Sequence, residues 1–300
     1  MSAIYCASTI KRRRRTKEEI LSLDEGIIAA LREHHPCSVR QIFYVMTNPR
    51  LAAHVEKSES GYRDIQSRCL KLRRTGRIPY SWISDFSRHA YHTNTFQNAS
   101  EFVTSIAWQY RADLWRDAES VCEVWVESRS IASCLVDLCE QFAVGLYPCG
   151  GFSSVSFIYA AAEDLNDREL EKPVVILFVG DHDQAGHLID KALERELREH
   201  LNPEIELDFR RVGINEDQIV QYDLPTKPRK LGDTRSPHVS VTVEAEAMPA
   251  TILRGLLEKE ITALLPPLAL EIAKISEESE QAHLRRMASL LKRQRSGASI

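Results

Sequence analysis

The stretch Val174-Val175-Ile176-Leu177-Phe178-Val179-Gly180-Asp181-His182-Asp183-Gln184-Ala185-Gly186 decides the fold. Its six leading apolar residues, rich in β-branched side chains, read as a strand buried on both faces. The run stops at Gly180, and two carboxylates come next at a spacing of two. In extended chain that spacing sets Asp181 and Asp183 on one side and His182 on the other. Gly186 permits a tight turn into Ala185–Leu201, where Leu188, Ile189, Ala192, Leu193 and Leu197 keep helical spacing. Paired carboxylates between a buried strand and a helix suit a hard cation such as Mg²⁺. They also suit a solvated turn whose Asp caps the helix.

The flanking sequence repeats the pattern. Val121–Val126 reads as a strand ending in Glu127, and Ile131, Leu135, Leu138 and Phe142 mark one helix face. Val144–Tyr147 is a short strand leading to Gly150-Gly151, Phe152–Leu165 is a second helix, and Ile205–Val212 is another strand. Strands alternating with helices predict an α/β fold with a doubly wound parallel sheet over residues 121–265. Glu127, Asp181 and Asp183 then meet at one sheet edge. Three carboxylates there are costly unless a cation or protons compensate, which favours the metal reading. Val239–Val243 alternates as a strand and runs into Glu244-Ala245-Glu246. This second acidic pair either faces the same site or opens the helix Ile252–Leu265. After Pro266-Pro267, residues 268–295 form an amphipathic helix, packed on the sheet or used for dimerisation.

The N-terminal part differs in character. Residues 1–95 carry 17 Lys/Arg and 9 Asp/Glu, a balance of +8, against 22 and 34, a balance of −12, in residues 96–300. Such a split predicts a basic part that meets a polyanion. Residues 1–16 are a basic tail, expected to be disordered. Ile20, Leu23, Ile27, Ile28 and Leu31 predict a helix over Lys17–His34, ended by Pro36. Ser38 is an N-cap for a second helix, Val39–Thr47. A third helix runs from Tyr62 to about Thr75 and carries Arg63, Arg68, Lys71, Arg73 and Arg74, with Arg77 just beyond. Ile78–Ile83 reads as a short strand or wing. Three short helices, the last strongly basic, predict a winged helix-turn-helix over 17–95 that holds duplex DNA through its phosphates. A solvated basic face is the plainer alternative. Residues 96–120 are a linker with a helix over Glu101–Ala118.

Other classes are excluded. No apolar run of about 18 residues exists to span a membrane. Seven cysteines without a Cys-x-x-Cys pair argue against a structural zinc or a disulfide framework and for a reducing cytoplasm. No Gly-x-x-x-x-Gly-Lys-Ser/Thr loop is present, which argues against ATP hydrolysis.

A strand ending in Glu, then a strand ending in Asp-x-Asp, resembles the Toprim domain. Arg40-Gln41-Ile42-Phe43-Tyr44 resembles the Arg-Asp-Ile-Tyr-Tyr motif of the topoisomerase VI A subunit and its meiotic double-strand-break relatives. Gly150-Gly151-Phe152 and Glu244-Ala245-Glu246-Ala247-Met248 are similar to two further segments of that family. Gln41 and Phe43 depart from its motif. The resemblance implies a winged-helix domain before a Toprim-like domain, with Tyr44 as the DNA-cleaving nucleophile. Arg40, one helical turn away, would support it. It also implies Mg²⁺ held by Glu127, Asp181 and Asp183, a 5′-phosphotyrosyl product, and a homodimer in which the Tyr of one protomer meets the acids of the other. The topoisomerase keeps its GHKL-type ATPase in a separate B subunit, so strand passage would need such a partner. The resemblance places the protein at the cytoplasmic nucleoid. A Toprim nuclease using water and a non-cleaving DNA-binding protein are the competing readings.

Overall fold

The computed structural model describes residues 15–83, 93–150, 155–168, 172–183, 186–228 and 241–297. All but residues 15 and 16 of the expected basic tail, the Gly151-Phe152 pair and most of the polar stretch before residue 96 lie outside them. The elements in chain order are α1 (Lys17–His34), α2 (Val39–Met46), α3 (Glu59–Arg74), α4 (Ala99–Ile106), β1 (Val121–Val126), α5 (Arg129–Gln141), β2 (Gly145–Pro148), α6 (Val155–Asp167), β3 (Val174–Val179), α7 (Gly186–His200), β4 (Leu207–Gly213), α8 (Glu216–Gln221), β5 (Lys227–Pro228), β6 (Val241–Thr242), α9 (Ala250–Leu264) and α10 (Ala269–Gly297).

The central sheet is parallel, in the order β2-β1-β3-β4. Its two inner strands, β1 and β3, are buried on both faces. Trp125, Ile176 and Phe178 pack with Ile158, Leu165, Ile189 and Leu193 of α6 and α7. Val124, Val126, Val175, Leu177 and Val179 face the opposite way, towards Ile131 and Leu135 of α5 and Leu253 and Leu257 of α9. The chain leaves β1 for β2 with α5 on one face and returns past β1 to β3 with α6 on the other, as right-handed crossovers require. The direction reverses between β1 and β3. Glu127 follows β1 directly and Asp181 follows β3 after Gly180, so both sit at the switch point, where such sheets bind ligands.

The N-terminal helices join the same core. Leu23, Ile27, Leu31, Ile42, Tyr44, Ile65 and Leu72 are continuous with the sheet face that α9 covers. Thr16 and Ser38 open α1 and α2 with capping boxes. Arg254 of α9 locks the two halves together. Its guanidinium donates to the carbonyls of His34, His35 and Pro36 at 3.0, 3.2 and 2.9 Å, and to Cys134 of α5 at 3.3 Å.

Several expectations change. Helix α3 begins at Glu59, not Tyr62, because the Ser58 hydroxyl accepts the Gly61 amide. Gly61 is thus inside the helix, where a Cβ would stand 2.1 Å from the Glu56 carbonyl oxygen. Residues 78–83 are not a strand. Tyr80–Trp82 is a 3₁₀ turn, and Ile83 makes one bridge to Cys37. Arg73 occupies the carbonyls of Tyr80 and Ile83 at 2.6 and 2.5 Å, so they are not offered to a ladder. Among the described residues, the N-terminal part is therefore helical without a wing. The helix expected over Glu101–Ala118 starts at Ala99 and ends at Ile106, where a 3₁₀ turn at Ala107–Gln109 takes over. Beyond it Leu114 and Trp115 sink into the core, where the Trp115 indole donates to the Phe142 carbonyl at 2.9 Å. Finally, α10 packs on α4 and on the turn after it rather than on the sheet. No helix among the described residues is long and apolar enough to cross a membrane.

Arg254→Ala removes charged hydrogen bonds to four carbonyls and should cost about 2–4 kcal/mol. The measurement is the urea midpoint at unchanged m. A midpoint equal to that of the wild type would show that α1 and α5 are held without this clamp.

Candidate functional site

The edge of the sheet is built by short-range bonds. Glu127 leaves β1 with its amide bonded to the Val179 carbonyl at 2.8 Å. Its Oε2 accepts the Asp181 amide at 3.0 Å. The Oδ1 of Asp183 accepts the Gly186 amide at 2.6 Å. This is the helix-capping contact expected for one Asp of the pair. Gly150, with φ +69°, donates its amide to the Glu127 carbonyl at 2.9 Å and turns the chain after β2 beside the acid. His182 points elsewhere and is buried. Its backbone N–H and C=O pair with Val243 at 2.9 Å each way.

That bridge brings a distant segment to the acids. The Ala245 amide donates to Asp181 Oδ1 at 2.8 Å. Glu246 is buried and accepts the hydroxyls of Ser128 and Ser130 at 2.7 and 2.5 Å. The pair Glu244/Glu246 therefore faces the site rather than opening α9, which starts only at Ala250 behind Pro249.

A cavity of about 430 Å³ lies over this edge. Its acidic wall holds Glu127, Asp181, Asp183 and Glu246, and its basic wall holds Arg40 and Lys227, with Glu244 between them. Crowding of like charge shows in the acids. Burial, then the charge of Glu127, pushes the Asp181 carboxyl up to about 7. Burial, then Asp183 and Glu246, raises Glu127, although the Asp181 amide and Arg211 oppose them. Arg211 braces the exit of β3. It donates to the Gly180 and Asp181 carbonyls at 3.1 and 2.5 Å and pairs with Asp190 at 2.7 Å.

Hard carboxylate oxygens are the donor set Mg²⁺ takes, so the chemistry of Glu127, Asp181 and Asp183 fits that ion. Among the described residues, no group of three or more Asp, Glu, His or Cys side chains is gathered closely enough to chelate a metal alone. The fit is thus to an ion held by one or two carboxylates, completed by water and phosphate oxygens.

The basic wall comes from the N-terminal helices and the β5 strand. Arg40 Nε and Nη2 bind Glu244 Oε2 at 2.8 and 2.5 Å, and Lys227 Nζ binds Oε1 at 2.5 Å. The Tyr44 phenol lies near the same carboxylate, and the two act on each other electrostatically. Burial alone would raise Glu244, but Lys227, Tyr44 and Arg40 outweigh it and hold it at about 2. Tyr44 is 4% exposed. Burial, with Glu244, raises its phenol, and Arg40 offsets only part. Lys57 Nζ lies 5.3 Å from the centre of the Tyr44 ring and donates to the Pro225 and Thr226 carbonyls at 2.7 and 3.2 Å. Burial and Lys227 lower it to about 8. The motif departures have structural partners. The Gln41 carbonyl oxygen completes the α2 capping box, and Phe43 packs on Tyr62. Lys57, Lys227 and Arg211 were not legible as site residues, because nothing in their own neighbourhoods marks them.

One chain thus sets Arg40 beside its own Glu127, Asp181 and Asp183, whereas the resemblance implies acids donated by a second protomer. The expected DNA-binding set also divides. Arg68 makes a two-point pair with Asp24 at 2.7 and 2.6 Å, and Asp24 is 3% exposed. Arg77 pairs with Asp24 and Glu25, and Arg73 holds the 78–83 segment. Those three side chains are engaged inside the protein. Arg63, Lys71 and Arg74 are exposed on one face of α3, with no ion pair among the described residues. No protein-family model matches the chain, and no curated protein is significantly similar to it in sequence.

These charges make two sets of measurements decisive. Asp181 has a folded pKa above its unfolded value of about 3.9, so folding stability should fall as pH rises from about 4 to about 7 and then level. In chelator-treated protein, Asp181→Asn should flatten that fall and raise stability at pH 8 by on the order of 1–3 kcal/mol. An unchanged pH profile of the melting temperature would show that Asp181 is not the group under strain. Arg68→Ala leaves Asp24 buried beside only Arg77 and should cost about 3 kcal/mol. Charge reversal at Arg63, Lys71 and Arg74 should spare stability, weaken duplex binding and lower the salt slope by about one unit per lost contact. Equal destabilisation by both sets of changes would contradict this division.

Proposed function

We propose that the chain is a Toprim-like, metal-dependent DNA-cleaving transesterase resembling the topoisomerase VI A subunit, with Tyr44 as nucleophile. The observation that carries this reading is the cavity at the sheet edge. Arg40, the residue one turn before Tyr44 on α2, lines it together with Glu127, Asp181 and Asp183. A phenol, a guanidinium and a set of hard carboxylates are the parts that phosphodiester cleavage by a tyrosine requires.

In this reading duplex DNA lies along α3 against Arg63, Lys71 and Arg74, which would make the protein nucleoid-associated. Arg40 would orient the scissile phosphate, and Glu244, whose charge acts on the phenol, would accept its proton. The Tyr44 oxygen forms a bond to phosphorus while the bond from phosphorus to the 3′ oxygen breaks. That oxygen leaves as a 3′-hydroxyl after taking up a proton, and a 5′-phosphotyrosyl link remains. Glu127, Asp181 and Asp183 would hold Mg²⁺, which supplies polarisation of the phosphate and stabilisation of the leaving oxygen. A homodimer would set two complete sites against two strands. Strand passage would call for a separate ATPase subunit.

The burial of Tyr44 and its raised pKa favour a second reading, a Toprim nuclease in which water attacks. Trapping on supercoiled DNA with Mg²⁺ or Mn²⁺ separates the two. A covalent adduct mapped to Tyr44, and lost in Tyr44→Phe at nearly unchanged DNA affinity, supports the transesterase. Full cleavage by Tyr44→Phe hands the chemistry to water. Since Arg40 and the acids share one chain, mixing Tyr44→Phe with Asp183→Asn protein should restore no cleavage. Recovery through heterodimers would show that the working site is shared in trans.

A further inference from the structure

Glu244 is a carboxylate held by two cationic side chains. A guanidinium fork from Arg40 and the ammonium of Lys227 converge on it, with the Tyr44 phenol close by. A fork, a point charge and a hydroxyl are a donor set for a phosphate group. The neighbours that carry Lys227 do not depend on Glu244. Lys57 anchors the Pro225 and Thr226 carbonyls, and Lys227 pairs with Thr242 in the β5–β6 ladder. The Arg40 and Lys227 side chains are 43% and 47% exposed, and the cavity opens beside them, so an anion can reach both without unfolding. Glu127, Asp181, Asp183 and Glu246 on the facing wall would repel a bare anion, which makes a cation-bridged phosphodiester the fitting occupant.

We propose that Arg40, Lys227 and the Tyr44 hydroxyl form a phosphodiester-binding site that Glu244 fills as an internal surrogate until nucleic acid displaces it. The choice of a phosphodiester as occupant rests on the DNA-cleaving reading, whereas the anion site rests on the two cations. Glu244 then acts as a positioning residue. It keeps the cations preorganised around Tyr44 and sets a threshold that a phosphate must exceed to enter.

The test is binding of a short duplex by the full chain, measured by fluorescence anisotropy in the presence of Ca²⁺, with intact duplex confirmed on a denaturing gel. Glu244→Gln keeps the shape and removes the competing charge. It should tighten binding about tenfold and steepen the salt slope by about one to two units, as two cations turn to phosphate. In an Arg40→Ala background the same substitution should lose most of that gain. Loss of a negative charge alone would give equal gains in both backgrounds, and that outcome overturns the proposal. Unchanged or weaker binding by folded Glu244→Gln overturns it too. Should Glu244→Gln not fold, Glu244→Asp withdraws the carboxylate by one methylene, and a gain of severalfold is then required. Tightening without any covalent adduct in the wild type would leave the anion site standing and remove the transesterase reading. An adduct without tightening would do the reverse.

Discussion

The two backbone hydrogen bonds between His182 and Val243, each 2.9 Å, hold the rest of the site together. They join the turn after β3 to a segment about sixty residues later in the chain. Once that bridge exists, the Ala245 amide falls on Asp181 and Glu246 reaches the hydroxyls of Ser128 and Ser130. Glu244 is carried to the opposite side, against Arg40 and Lys227. A bridge made only of backbone groups places these side chains without using any of them for the docking. His182 contributes its main chain to the bridge and buries its ring away from the cavity.

The charges in the cavity are separated rather than neutralised. Burying acids beside one another costs free energy, and burial first, then the neighbouring carboxylates, raises the affinity of Asp181 and Glu127 for protons. The same crowding favours any hard cation that enters. The opposite wall is a set of cations already compensated by one carboxylate. Arg211 and Arg254 are cations with other tasks. Both bind mainly backbone carbonyls, one at the exit of β3 and one at the end of α1, and so fix the frame on which the two walls stand.

The parallel sheet was legible because its strands between Val121 and Val179 are apolar runs ended by a polar residue or glycine, a pattern that burial on both faces imposes. The acids at its edge were legible for the same reason, since Glu127 follows one apolar run directly and Asp181 and Asp183 follow another just past Gly180. Local pattern failed where tertiary contacts decide. Ile78–Ile83 alternates well enough for a strand, but Arg73 takes its carbonyls. The residues after Ile106 keep helical spacing, but burying Leu114 and Trp115 breaks the helix. Arg68 and Arg77 read as phosphate binders because the Asp24 they pair with lies 44 and 53 residues away. Lys57 and Lys227 stand far from Tyr44 in the chain, and only folding brings them near it.

The continuity of the core bears on how the site can work. Tyr44 and Ile42 of α2 belong to the same buried cluster as Val243, Ala245 and Met248 beside the acids and Leu253 of α9. Moving α2 away to meet another protomer would expose this apolar surface and break the clamp of Arg254 on the end of α1. At roughly 25 cal/mol for each Å² of apolar surface, uncovering even a few such side chains costs several kcal/mol. A local change is far cheaper. Rotation of the Glu244 side chain frees Arg40 and Lys227 together and leaves the bridge and the core intact. The side chain at the junction of the two walls is therefore the element best placed to move when a phosphate arrives, and α2 is the element best placed to stay.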